Sequence, residues 1–220
     1  MLWVHSTNKI SLWVTDDNRN YISHKEHGPF AGWSAINYSD NKILWEHTSG
    51  KIRIWSVDDK GNHIGSKEHV PGKGWRVVNY SQGKLLWVHD DGRICIYTID
   101  KSGNSTKAKV HNPPAGFYPI NIFGATNQIL WAHTDGRAGL WNLDKNDEFT
   151  GSNFYGANRG WSVINYSDDT ILWGHEDGRI SIVAVDENGV KIDAQSKVHG
   201  PFSTWRPINY SDHSVLWNTY

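Results

Sequence analysis

Leu44-Trp45-Glu46-His47-Thr48-Ser49-Gly50-Lys51-Ile52-Arg53-Ile54-Trp55 decides how this chain is read, because its opening dipeptide recurs at an almost fixed interval. Leu-Trp returns as Leu2-Trp3, Leu86-Trp87, Leu130-Trp131, Leu172-Trp173 and Leu216-Trp217, with successive tryptophans 42, 42, 44, 42 and 44 residues apart. A second aromatic keeps that period out of phase at Trp33, Trp75, Phe117, Trp161 and Trp205, and all but the last follow a glycine (Gly32, Gly74, Gly116, Gly160). Such a period marks a repeat architecture. Five repeats are read, 2–43, 44–85, 86–129, 130–171 and 172–215, and residues 216–220 begin a further copy.

Within Lys42 to Gln82 the apolar pattern has a period of two, in segments bounded by turn residues, which predicts strands. Four are read: Ile43–His47, Lys51–Val57, His63–His69 and Trp75–Tyr80. Ser49-Gly50 turns the first into the second, and other copies carry Asp91-Gly92, Asp135-Gly136 and Asp177-Gly178, dipeptides suited to the positive φ of a hairpin turn. Asp58 to Asn62 and Pro71 to Gly74 close the other two connections. A four-stranded antiparallel meander of about 42 residues in tandem is the sequence form of a propeller blade. The expected fold is all-β, a single five-bladed β-propeller domain over residues 1–220. Blades stacked face to face bury both faces of each sheet, which places large rings in every strand. First strands outnumber the other three by one, so either Met1–His5 or Leu216–Tyr220 is expected to complete the closing blade. The other is then free at an edge or pairs with a second molecule, giving a monomer or a dimer.

The composition excludes several classes of function. With 22 Lys+Arg against 23 Asp+Glu and a net charge of -1, the chain has no basic footprint for nucleic acid and no polybasic membrane anchor. Cys95, the single cysteine, rules out an intrachain disulfide, and no stretch is long and apolar enough for a spanning helix. No signal peptide is readable, so the expected location is the cytoplasm, or outside the cell by a route without one.

The repeats differ in ways that separate scaffold from candidate site. First strands keep His5, His47, His89, His133 and His175, and fourth strands keep Asn37, Asn79, Asn121, Asn165 and Asn209. Both sets read as structural hydrogen-bonders, the histidines toward the turn aspartate. Histidines spread round a ring do not converge as metal ligands, so no metal and no cofactor is expected. After the first turn the residue is always basic: Lys9, Lys51, Arg93, Arg137 and Arg179. A second histidine follows the third strand at His27, His69, His111 and His199, with Tyr155 in the fourth repeat. In a meander the first turn and the third loop emerge at the same end, so these side chains and the aromatics at 33, 75, 117, 161 and 205 are expected to line one end of the ring. The Asp-x-x-Gly-Asn loops are expected at the other end, solvated. Flat rings beside planar hydrogen-bonders suit a sugar, whose C–H face stacks while its hydroxyls pair.

The Leu-Trp-x-His-x-Asp-Gly-Arg stretches and the loop His27-Gly28-Pro29-Phe30-Ala31-Gly32-Trp33 resemble the repeats of five-bladed propeller lectins of the tachylectin type. They are also similar to tandem repeats of uncharacterised bacterial proteins. The lectin resemblance is one of period and aromatic spacing along Leu2 to Trp217, and it implies one weak N-acetyl-sugar site per blade. Those of repeats three and four would be weakest, at Phe117 with Asn112-Pro113 and at Tyr155 with Ala157-Asn158. The expected function is therefore multivalent, metal-independent carbohydrate binding, with glycans as partners and avidity from many weak sites. An interaction scaffold using one rim is the alternative, and would favour one or two blades that have diverged into a patch. A glycosidase needs two carboxylates from unlike blades, and no asymmetric pair stands out, so no enzymatic activity is expected.

Overall fold

Alternating apolar residues between tight turns leave each repeat room for little but antiparallel strands, and every strand pair is antiparallel in the computed structural model. It describes all residues except Met1, Asp17, Arg19, Ala157, Asn158, Ser203, Asp212, His213 and Tyr220. The chain divides into two compact units, Met1–His111 and Asn112–Tyr220. The first holds three sheets: β1 (Leu2–Val4), β2 (Ile10–Thr15) and β3 (Tyr21–His27); then β4 (Trp33–Ser39), β5 (Lys42–His47), β6 (Ile52–Val57) and β7 (His63–His69); then β8 (Trp75–Ser81), β9 (Lys84–His89), β10 (Ile94–Ile99) and β11 (Ser105–His111). The second holds β12 (Phe117–Phe123), β13 (Gln128–His133), β14 (Ala138–Leu143) and β15 (Phe149–Tyr155) in one sheet. Its next sheet has β16 (Trp161–Ser167), β17 (Thr170–His175), β18 (Ile180–Ala184) and β19 (Lys197–His199), with a 3-10 turn at Asp193–Gln195 before β19. β20 (Trp205–Ser211) and β21 (Ser214–Thr219) form a two-stranded sheet. Among the described residues there is no α-helix.

The sheets are cut one strand out of phase with the expected meander. Trp75–Ser81 pairs forward with Lys84–His89, and the sheet containing β5 to β7 begins instead with β4 from the preceding repeat. The reason lies in the turns. β4 and β5 are joined by Asp40-Asn41, both at positive φ (50° and 53°), which is the two-residue hairpin geometry that holds two strands in one sheet. Asp168-Asp169 and Gln82-Gly83 repeat it. The Asp-Gly turns, expected to be the tight ones, place only the glycine at positive φ, with Gly92 N–H donating to the His89 carbonyl at 2.9 Å. Each terminal copy of the first strand pairs within its own unit, Leu2 opposite Leu12 in β1 and Trp217 opposite Pro207 in β21. The Asn218 side chain lies outside the described residues.

First strands β5, β9, β13 and β17 form the core of their sheets. Ile43, Leu44 and Trp45 are consecutive and all buried, which only a strand covered on both faces permits. Leu44, Ile52 and Ile54 of one sheet pack with Val77, Tyr80, Leu85 and Trp87 of the next, and Leu130, Leu140, Tyr166, Ile171 and Trp173 do the same in the second unit. This packing outweighs a polar cost. The indole N–H groups of Trp45, Trp87 and Trp131 are buried without a partner, a penalty of about 1–3 kcal/mol each. Burying a ring of roughly 150–250 Å2 is worth about 4–6 kcal/mol.

Candidate functional site

The two signature residues of the repeat meet directly. Trp33 of β4 stands opposite His47 of β5, and their ring centroids are 4.9 Å apart. Trp75 with His89, Phe117 with His133 and Trp161 with His175 repeat the pair at 4.9, 4.6 and 4.9 Å. On its other side each imidazole closes the following turn. His47 Nδ1 is 2.7 Å from the Ser49 hydroxyl, and His89, His133 and His175 Nδ1 lie 2.8, 2.7 and 2.7 Å from the carboxylates of Asp91, Asp135 and Asp177. The glycine before the aromatic is required by this arrangement: Gly74 has φ +81°, and a Cβ there would stand 2.6 Å from His89 Nε2.

Neighbouring sheets within a unit are joined by the recurrent asparagines. A register shift between Ala35 and Asn37 leaves Ile36 as the extra residue of a bulge, and the Asn37 amide beside it donates to the Tyr80 carbonyl at 2.6 Å while accepting from the Tyr80 N–H at 3.2 Å. Asn121 with Tyr166, and Asn165 with Tyr210, make the same two bonds. The second histidines also join repeats. His27 Nε2 is bonded to the Gly61 carbonyl and His69 Nε2 to the Gly103 carbonyl, each at 2.8 Å, and the Tyr155 hydroxyl donates to the Gly189 carbonyl in the equivalent place. Gly61 and Gly103 belong to the Asp-x-x-Gly-Asn loops of the following repeat, and Gly189 to the equivalent Asp186–Val190 loop; such loops were expected at the opposite end and solvated. Sequence order places loops at the ends of one sheet but does not show which loop a neighbouring sheet presents. His111 is half-buried and His199 exposed.

The basic positions have partners of their own. Lys9 pairs with Glu26 at 2.5 Å and Lys51 with Glu68 at 3.2 Å. Arg93, Arg137 and Arg179 lie 2.8, 2.8 and 2.9 Å from Asp91, Asp135 and Asp177. The Arg137 backbone N–H, with His133 and Arg137 side chains adding to it, holds the Asp135 carboxyl below the usual range. Arg53, which also pairs with Glu68, lies over Trp33 at 4.5 Å, while Arg93 and Arg179 cover Trp75 and Trp161 at 5.8 and 5.7 Å. Trp205 is exposed.

Two pockets occupy equivalent positions in the repeat, one in each unit. The smaller, about 380 Å3, is lined by Phe30, Trp33, Trp45, Arg53 and Trp55. The larger, about 620 Å3, is lined among the described residues by Tyr155, Trp161, Trp173, Ser181 and Val183, with Phe154, Val190, Lys191 and Val198 among the remaining walls. Two second-strand positions differ between them: Arg53 is replaced by Ser181, and the next inward-facing position, unremarked in the repeat pattern above although every copy displays it, runs Trp13, Trp55, Tyr97, Trp141 and Val183. The ring there packs on the Leu-Trp ring at 5.2 Å for Trp45 and Trp55, 5.8 Å for Trp87 and Tyr97, and 4.7 Å for Trp131 and Trp141. Val183 leaves Trp173 without that neighbour. Cys95 lies on β10, and burial pushes its thiol up to about 11. Among the described residues no three His, Cys, Asp or Glu side chains stand close enough to hold a metal ion. Among the described residues no helix is long and apolar enough to cross a membrane.

Known structures share this blade architecture. A crystal structure of Kap60 bound to yeast RCC1 (Prp20) is similar at 10% identity with a TM-score of 0.54, covering 84% of this chain and 53% of that one. The fold is a β-propeller. A crystal structure of Prp20p from Saccharomyces cerevisiae, described with its binding to Gsp1p and histones, matches this propeller at 10% identity, a TM-score of 0.53 and coverage of 84% and 55%. The chain thus spans about half the length of these similar structures. No family model and no curated protein matches it.

Proposed function

We propose that this propeller is a non-catalytic interaction scaffold that docks a protein partner on the outer strands of its second unit. One observation carries the reading. The third-strand residue opposite the second strand is acidic and ion-paired in the first two repeats, as Glu26 and Glu68, and becomes apolar and exposed in the last three, as Val110, Phe154 and Val198. In the second unit Phe154 and Val198 border the larger pocket together with exposed Val190, an apolar rim round a concave centre. Divergence of this kind distinguishes a docking face from a ring of equal sites. RCC1 in complex with Kap60, and Prp20p with Gsp1p and histones, agree with this reading at the level of fold. Phe154→Asp with Val198→Asp is expected to abolish capture of whatever protein the wild-type chain retains, at unchanged Tm. Equal capture by both chains would count against it.

Carbohydrate binding is supported by a separate observation, the enclosure of Trp33, Trp45 and Trp55 with Arg53 around the smaller pocket. It predicts a coherent set of glycans on an array, retained in the presence of chelator and lost on Arg53→Ala. A blank array from folded protein would remove this second reading.

A further inference from the structure

We propose that the larger pocket is a slot for one aromatic side chain of a protein partner, which seats against Trp173 in the space that Val183 leaves open. The inference rests on the protein-docking reading and supplies its anchor. In all four sibling repeats the same space holds a ring of the chain itself, Trp13, Trp55, Tyr97 or Trp141, packed on the Leu-Trp ring at 4.7 to 5.8 Å. These separations are those aromatic pairs prefer. In the fifth repeat the floor is kept and the lid is gone: Trp173 is buried, Trp161 and Tyr155 stand beside it, and Val183 is the only second-strand side chain of this set that is not a ring. The pocket grows from about 380 to about 620 Å3, within the range of small-ligand sites.

The polar groups of the wall favour a ring over a sugar. Tyr155 spends its hydroxyl on the Gly189 carbonyl, the Asn153 amide donates to the Asn188 carbonyl, and Lys191 pairs with Asp193 at 2.7 Å. A hydroxyl-rich ligand would meet few free partners there, whereas an indole or phenol needs one, and the Ser181 hydroxyl lies on the same wall. Exposed Phe154, Val190 and Val198 then give the residues flanking the anchor an apolar rim, the usual surround of a buried aromatic hot spot.

The test uses the full chain and N-acetyl-tryptophanamide as probe, with N-acetyl-alaninamide and N-acetylglucosamine as comparisons, read by saturation-transfer NMR. Transfer to the indole protons is expected from the wild type and a several-fold loss from Val183→Trp, which rebuilds the sibling ring pair. No transfer to the indole, or transfer undiminished in Val183→Trp, overturns the slot. Should that variant fold poorly, the Val183 methyl signals of the wild type decide: they shift on titration with the indole probe if the slot is real and stay fixed if it is not. Failure here with capture still dependent on Phe154 and Val198 would sink the slot and leave the docking face. A bound indole with capture indifferent to those two residues would do the reverse.

Discussion

Gly74 and Gly50 share a backbone conformation, φ +81° and +83°, yet a Cβ at Gly50 meets nothing within 4 Å while one at Gly74 meets His89 Nε2 at 2.6 Å. Alanine at Gly50 therefore carries only the left-handed strain, about 1–2 kcal/mol. Alanine at Gly74 must also part the Trp75 and His89 rings, and is expected to lose roughly a further 1–3 kcal/mol, measured as the difference between the two urea midpoints. Asn121→Ala removes both bonds to the Tyr166 backbone and is expected to cost about 1–3 kcal/mol. If it proves neutral by the same measurement, the asparagine does not join the sheets. The first-strand histidine and the asparagine were legible as scaffold from their recurrence alone. That His27, His69 and Tyr155 bond the next repeat was not, because a hydrogen bond spanning 34 residues leaves no local pattern.

Strands differ sharply in cover. β5, β13 and β17 are buried over their first four residues, whereas β3, β7 and β11 are exposed along nearly their whole length and lie at sheet edges. Hydrogen exchange is expected to follow this order, with the first strands most protected and the third strands exchanging orders of magnitude faster. Uniform protection across a sheet would mean that it opens only as a whole. At this scale the sequence marked the strands closely, and Trp75–Tyr80 was read one residue short of its end at Ser81. Grouping them into sheets went one strand out of phase, because Asp40-Asn41 resembles any polar turn until its two positive φ values are known. The third strand of the fifth repeat is shortened to Lys197–His199, where Val185 bridges to Lys191 and a 3-10 turn follows.

Across the whole molecule, exposed carboxylates recur with hydrogen-bonded partners. Asn62 holds Asp58 below its ordinary value, Asn104 does so for Asp100, the Arg137 backbone for Asp135, and Arg53 with Lys51 for Glu68. A lowered folded-state value means the unfolded chain binds protons first. Their contribution is complete above the ordinary values of 3.8 for aspartate and 4.5 for glutamate, and is lost as pH falls through the lowered ones. The Tm is therefore expected to drop as pH falls below about 4.5, more shallowly in Asp135→Asn. An identical acid limb in that variant would mean that Asp135 titrates alike in both states.

The residues by themselves determined the number of repeats, the all-β class, the strand positions and the recurrence of the Gly-aromatic and histidine positions, since each follows from period and turn chemistry acting over a few residues; that the aromatic and the histidine pack together was decided by the structure. Only the tertiary structure decided how the strands are shared among sheets, which polar side chains are spent between repeats, and that Val183 opens a pocket beneath Trp173. The bonds between repeats join atoms more than thirty residues apart, and the sheet boundary rests on backbone angles that a polar turn sequence does not specify. A missing ring reads in the sequence as one conservative apolar change, and becomes a cavity only where its partner ring is held in place.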